Sequence, residues 1–343
     1  MKIGIVGFPG SGKTTLFNAL TGQSAPTGYG GGKVNLGVIK VPDRRVDRLA
    51  EIDDPRKITY AEIAFADVPG GRGGSSLDPQ TLSRIREMDA LVQVARGFDA
   101  GDGPPDPTRE VREFEAELIL SDMQVAEKRV ERLKKDRSDM RQLALVERCL
   151  EHLAQERPLR DLPFTEEELS PLTGFAFLSL KPRMVVLSLP EGAPGDALPA
   201  ELEALAAARG LTVMPMCGAI EAEIAALPPA DQREFLADLG QTEPASARFA
   251  RAAFGMLDLI TFLTHGPDEC RAWPLRRGST AVEAARTIHS DLARGFIRAE
   301  VIAFEEFDAL GSEGACRDVG KLRIEGRDYV VRDGDICHIR FNV

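Results

Sequence analysis

Gly7, Gly12, Lys13 and Thr14, within the stretch GFPGSGKTT, satisfy the spacing GxxxxGK[ST]. Glycines there let the backbone curl so that successive N–H groups point at anionic oxygens, and the start of the following helix adds a favourable dipole. A lysine at this position reaches the β- and γ-phosphates of a nucleotide, and the next hydroxyl completes a magnesium shell. Lys13 and Thr14 take those roles, while Pro9, Gly10, Ser11 and Thr15 complete the cradle. A glycine-rich turn with a chance lysine is the competing explanation. The strand-like run KIGIV before the loop and the helical pattern of residues 15–20 after it disfavour that explanation.

A second metal-side element is expected at the end of another strand. The stretch IAFADVPGG supplies Asp67 with Gly70 three residues on, the DxxG of a switch NTPase. Asp67 is placed at Mg²⁺ with Thr14, and the Gly70 N–H at the γ-phosphate. Guanine readers carry N-K-x-D after a later strand, because the aspartate accepts two guanine N–H groups together. That motif occurs nowhere in the chain. The nucleotide is therefore ATP or GTP, with Mg²⁺.

The elements that must position these residues are legible around them. Strand signals recur at residues 184–187 and 211–216, each flanked by helical stretches as a parallel α/β sheet requires, and residues 218–227 supply its closing loop and helix. From residue 110 to about residue 157 the chain loses Gly and Pro. Ile119, Met123, Ala126, Val130 and Leu133 repeat at 4-3-4-3, and Leu143, Val146, Leu150 and Leu153 at 3-4-3. With a break around residues 136–139, this predicts an antiparallel helical hairpin, a coiled-coil arm inserted into the nucleotide domain. Residues 128–141 hold seven Lys and Arg against three Asp and Glu. A solvated, salt-bridged helix face and a contact for RNA or a protein partner are both open for this tip. Beyond residue 258, short strands at 259–262, 299–302, 329–331 and in DGDICHIRF, around a helix at 281–288, predict a small β-grasp domain.

At 343 residues the chain is long for one core, which predicts several domains. Its net charge of -11 argues against coating nucleic acid with the whole surface, so any RNA contact is local. No apolar run approaches the roughly 18 residues of a membrane helix, and the chain opens on a strand-like segment without a charged leader. A cytoplasmic monomer without membrane contact is expected. The five cysteines are odd in number, scattered and without CxxC spacing, which fits reduced thiols better than a disulfide framework or zinc site. His152, His265, His289 and His338 have no ligand-like spacing. Trp273 reads as a packing residue, and Arg271, Arg276 and Arg277 as a solvated loop.

From end to end the chain resembles the YchF group, also called Obg-like ATPases, among the P-loop switch NTPases. The resemblance is carried by VPDRRVDRLAEI, DPTREVREFEAELILSDMQVAEKRVERL, AIEAEIA, the long segment beginning ITFLTHGPDECRAW, and the terminal GKLRIEGRDYVVRDGDICHIRFNV. It implies a P-loop nucleotide domain over residues 1–109 and 173–257, a helical coiled-coil insertion over 110–172, and a TGS domain over 258–343. It also implies ATP bound at least as well as GTP, slow hydrolysis, and association with the ribosome through arm and TGS domain. The group's adenine-reading Asn-x-x-Glu corresponds to Ser188 and Glu191, and its Ser-Ala-Lys to Cys217, Gly218 and Ala219, so Ser188, Glu191 and Cys217 are expected at the base.

The chain departs from that pattern at several points. Gly10 and Thr14 stand where the group carries Asn and Ser, so the side chain that helps seat potassium is gone. The first switch, FCTIEPN in the group, reads YGGGKVN over residues 29–35, and Gly30, Gly31 and Gly32 offer no hydroxyl to the γ-phosphate. Gly71, not a histidine or glutamine, follows Gly70, so no water-orienting residue is assigned. A hydrolysis-deficient nucleotide- or RNA-binding adaptor therefore stands beside the slow ATPase or GTPase as the alternative.

Overall fold

The computed structural model describes residues 1–26, 34–70, 77–101, 103–136, 139–193 and 198–342. The first-switch glycines Gly30, Gly31 and Gly32, and Gly71, lie outside the described residues. The chain forms two compact units, one of Met1–Val38 with Ala64–Ser246 and one of Ile39–Ile63 with Ala247–Val343.

A six-stranded sheet organises the first unit. Its strands are β1 (Lys2–Val6), β2 (Asn35–Val41), β4 (Ala61–Asp67), β5 (Ala90–Arg96), β6 (Arg183–Ser188) and β7 (Thr212–Met216), in the order β2-β4-β1-β5-β6-β7. The pairs β1–β4, β1–β5, β5–β6 and β6–β7 are parallel. β1 and β5 are central, so they read as continuous apolar runs, whereas β2 alternates exposed and buried residues as an edge strand does. Helices α1 (Lys13–Thr21) and α3 (Pro79–Arg86) follow β1 and β4. The expected nucleotide-domain sheet, mostly parallel, is therefore present.

The arm is a pair of helices, α4 (Pro107–Asp136) and α5 (Met140–Ala154). Ile119, Ala126, Val130 and Leu133 of the first pack with Leu143, Val146, Cys149 and Leu153 of the second in one buried cluster. Asp139 caps α5 by accepting the Gln142 N–H at 2.9 Å. Near the tip Lys134 pairs with Glu147 at 2.8 Å and Arg132 with Asp136 at 3.5 Å, while the exposed Lys128, Lys135 and Arg141 show no ion pair among the described residues.

In the second unit the sheet order is β11-β10-β12-β8-β9-β3, with β3 (Ile58–Thr59), β8 (Leu259–Thr264), β9 (Cys270–Arg276), β10 (Phe296–Ala303), β11 (Arg323–Glu325) and β12 (Asp335–Phe341). The helix Ala281–Ile288 packs Ala281, Ala284 and Ala285 against Phe262, Phe296, Val301 and Ile339. The expected strand at 329–331 is reduced to one bridge, Thr280 to Val330. Tyr329 turns its hydroxyl onto the buried Asp335 at 2.7 Å, and the Tyr329 carbonyl accepts the Ala281 N–H of the helix start, so this backbone closes a helix cap instead of extending a ladder.

Sequence order alone leaves residues 42–60, between β2 and β4, with the nucleotide domain, but they pack in the second unit. Ile58 and Thr59 pair in parallel with Cys270 and Arg271. Helix α2 (Arg44–Asp53), capped by Asp43, is held there by Arg45–Asp333 at 2.8 Å, Arg48–Asp308 at 2.7 Å and Asp53–His265 at 2.6 Å. His265 also reaches Glu313 at 3.2 Å and stands edge-on to the Phe307 ring.

Candidate functional site

The loop after β1 bends through conformations that side chains oppose. Gly7 has φ +141°, and a Cβ there would lie 2.5 Å from the Val94 carbonyl oxygen of β5. Gly12, with φ +92°, occupies the cap position of α1, and its Cβ would lie 2.8 Å from the Ser188 hydroxyl. Gly10 is likewise left-handed, at φ +79°. The loop thus rests on the ends of β5 and β6, and Ser188 sits against Gly12.

Lys13 is 7% exposed, and its ammonium donates to the Phe8 carbonyl at 2.6 Å. Burial pushes its pKa down to about 8, partly offset by the charges of Asp67 and then Glu110. The lysine is thus a cation held out of water, with the Phe8 carbonyl its acceptor among the described residues. Gly70 lies beside it, since a Cβ on Gly70 would be 3.2 Å from both Lys13 Nζ and the Pro9 nitrogen.

Asp67, at the end of β4, is 3% exposed. Its Oδ2 accepts from the Thr14 hydroxyl at 3.0 Å and from the Asn35 amide at 3.2 Å, while Oδ1 has no hydrogen-bond partner among the described residues. The buried Ser11 hydroxyl is likewise unpartnered among the described residues. A buried carboxylate oxygen and a hydroxyl left unsatisfied are costly in an apolar surrounding. Asp67 and Thr14 together offer hard oxygen donors of the kind a Mg²⁺ ion takes, so the residues present fit that ion.

The remaining expected site residues are Thr15, Cys217 and Glu191. Thr15 is exposed, and its methyl group stands 3.3 Å from where a Gly218 Cβ would be, so the turn after Cys217 abuts α1. Cys217 is half-buried and begins the helix Gly218–Ala226 without a side-chain cap bond. Glu191 is exposed in the turn beyond β6.

Two residues had no assigned role in the sequence. Asn35 ends the switch stretch, but its bond to Asp67 joins positions 32 apart. Glu110, in the first turn of α4, accepts the Arg96 N–H at 2.9 Å and has its pKa raised by burial. Nothing in its helical surroundings marks it as different from the arm's solvated acids.

A family model described as 50S ribosome-binding GTPase matches residues 2–133. The model of the C-terminal part of YchF GTPases, described as a protein of unknown function, matches residues 259–342. The chain is 39% identical to the ribosome-binding ATPase YchF of Haemophilus influenzae over 360 residues, covering 100% of this chain and 99% of that protein. The chain belongs to the YchF family. The YchF protein of Bacillus subtilis, also named a ribosome-binding ATPase, is 36% identical over 364 residues, covering all of both chains. The Schizosaccharomyces pombe YchF GTPase structure superposes with a TM-score of 0.88 at 27% identity over 99% of this chain and 97% of that one. A Pyrococcus horikoshii GTP-binding protein shares the fold, with a TM-score of 0.62 at 21% identity over the full length of both. The YchF fold accounts for the order of elements: a P-loop sheet, a helical pair carried by that unit, and a C-terminal mixed sheet.

Proposed function

We propose that this protein is a nucleotide-dependent switch that binds ATP or GTP with Mg²⁺, hydrolyses it slowly, and associates with the ribosome in the cytoplasm. The observation that carries the reading is the trio of buried Lys13, half-buried Thr14 and buried Asp67: an ammonium, a hydroxyl and a carboxylate gathered behind a left-handed glycine loop, with one carboxylate oxygen unsatisfied among the described residues. The naming of full-length relatives as ribosome-binding ATPases supports the partner. Mg²⁺, when bound, neutralises charge on the β- and γ-oxygens. Lys13 adds a positive charge to the same oxygens, the N–H groups of residues 7–14 hold them, and the Gly70 N–H takes the terminal group. Ser188 braces Gly12, and Glu191 and Cys217 stand at the ends of the elements that frame the base.

Slow turnover follows from what the phosphate site lacks. Phosphoryl transfer depends on positioning of the attacking water. None of the four histidines falls in the loop, the DxxG segment or the strand ends around them. Single-turnover hydrolysis of ATP and GTP, with and without ribosomes, tests this. The unassisted rate is expected on the order of 10⁻³ s⁻¹ or below. A rate no higher than the protein-free blank, with nucleotide still bound, identifies the adaptor instead. Failure to bind either nucleotide rejects both readings.

The arm tip gives a separate expectation. Alanine at Lys128, Lys135 and Arg141 together weakens co-sedimentation with ribosomes, and the slope of log affinity against log salt falls by about one for each side chain on a phosphate. Co-sedimentation unchanged at every salt concentration removes the tip from the interface.

A further inference from the structure

We infer that Asn35 is a positioning residue for Asp67, and that it joins the metal side of the site to the strand leading into the second unit. The inference rests on the switch reading above. Among the described residues Asp67 Oδ2 has two donors, the Thr14 hydroxyl at 3.0 Å and the Asn35 amide at 3.2 Å, and this double hold leaves Oδ1 as the buried oxygen without a partner among them. A carboxylate held at one oxygen by two donors is fixed in rotation, which is what a hard cation requires of a ligand.

Thr14 belongs to the phosphate loop and is present whatever the first switch does. Asn35 belongs to that switch: it follows residues 29–34, YGGGKV, whose three glycines carry no side-chain donor. Among the described residues of the segment, its amide is the side chain that touches Asp67.

The strand it begins makes the bond more than local. β2 runs from Asn35 to Val41, about 20 Å of extended chain. From Ile39 onward the chain belongs to the second unit, where Arg45, Arg48 and Asp53 anchor α2 to Asp333, Asp308 and His265. The chain that leaves Asn35 therefore runs through β2 directly into α2.

The test is a titration of Mg²⁺ into the full chain with N-methylanthraniloyl-ATP, followed by fluorescence. Parent, Asn35→Leu and Asn35→Ala are compared with a series in EDTA. Leucine keeps the volume and removes the donor; alanine removes both. All three are expected to bind the probe alike in EDTA, while the Mg²⁺ concentration for half-maximal tightening rises about three- to tenfold in both variants, as loss of one hydrogen bond predicts. Hydrogen exchange in residues 36–53 is expected to slow on adding Mg²⁺ and nucleotide to the parent, and to slow less in either variant. A leucine variant with the parent's Mg²⁺ dependence overturns the inference. Loss of probe binding in EDTA by both variants also overturns it, because the residue then holds the fold and not the carboxylate. A parent that binds no probe under any condition overturns the switch reading itself, which separates the two failures.

Discussion

Replacing Lys13 by Met is expected to abolish stabilisation by Mg²⁺ and nucleotide while making the nucleotide-free protein more stable. Lys13 is buried, its ammonium donates to the Phe8 carbonyl, and its pKa falls to about 8 because burial outweighs the attraction of Asp67 and Glu110. A shift from 10.5 to about 8 corresponds to on the order of 3 kcal/mol against the charged native state near neutrality. Methionine fills nearly the same volume without the charge, so most of that cost is relieved. The sign over pH follows from proton counting. Between about pH 8 and 10.5 the unfolded chain holds a proton that the native lysine has lost, so parent stability rises through that window. The variant's advantage is therefore full below pH 8 and gone near 10.5. With nucleotide the gap closes. At a hundredfold excess over its dissociation constant a ligand adds about 2.7 kcal/mol to the parent, and the variant, lacking a charge-assisted bond worth about 1.5–3 kcal/mol, gains little. Thermal melts of both proteins at pH 7 and pH 10, with and without Mg²⁺ and ATP, check this. A variant less stable than the parent when empty, or equally stabilised by nucleotide, refutes it.

Lys13 was legible in sequence because its chemistry is local: the loop, the hydroxyl and the helix start must be consecutive for backbone N–H groups to converge. Asp67 and Gly70 were legible for the same reason at the end of β4. The arm was legible from periodicity, since Ile119, Val130, Leu143 and Leu153 make a seam that depends on helical repeat alone. What escaped were relations across the chain. Asn35 meets Asp67, and residues 42–60 leave their sequence neighbours because two residues of β3 complete a ladder with β9, over 200 positions away. β9 itself carries Arg, Trp and Pro, and nothing in that composition signals a strand. Pro274 is tolerated because it pairs with Thr261 of β8 at a point beyond the short β3, where β9 is an edge. Glu115 escaped for a different reason, as an acid in a helix rich in charges that reads as one more solvated side chain.

Glu115 carries the second large effect. It is 6% exposed at the arm's root, and its carboxylate receives Arg183 at 2.7 Å, the Arg160 guanidinium, and Arg209 at 3.5 Å. Arg183 is fully enclosed, its other nitrogen donating to Gln93 Oε1 at 2.7 Å. Burial, and then the neighbouring Arg160, pushes its pKa down, with Glu115 the main opposing charge. Burial alone would raise the Glu115 carboxyl, but the guanidiniums outweigh it and hold the group below the ordinary range. Taking away one partner of such a pair leaves an uncompensated buried charge, which costs about 3–5 kcal/mol. Glu115→Gln, which keeps the shape, is thus expected to lower the melting temperature by about 10 °C for a unit of this size. Replacing Glu115 and Arg183 together by Met costs less than Glu115→Met alone, because both buried charges leave at once. The acid limb carries the same sign. With its folded pKa depressed, Glu115 contributes its stability above the ordinary carboxylate range and loses it as pH falls through the folded value, so the gap between parent and Gln variant narrows in acid. Urea unfolding at pH 7 and pH 3.5 measures both. A Gln variant within about 1 kcal/mol of the parent at pH 7 means that the three arginines find their counter-charge elsewhere, and that the arm's root is held by its apolar contacts alone.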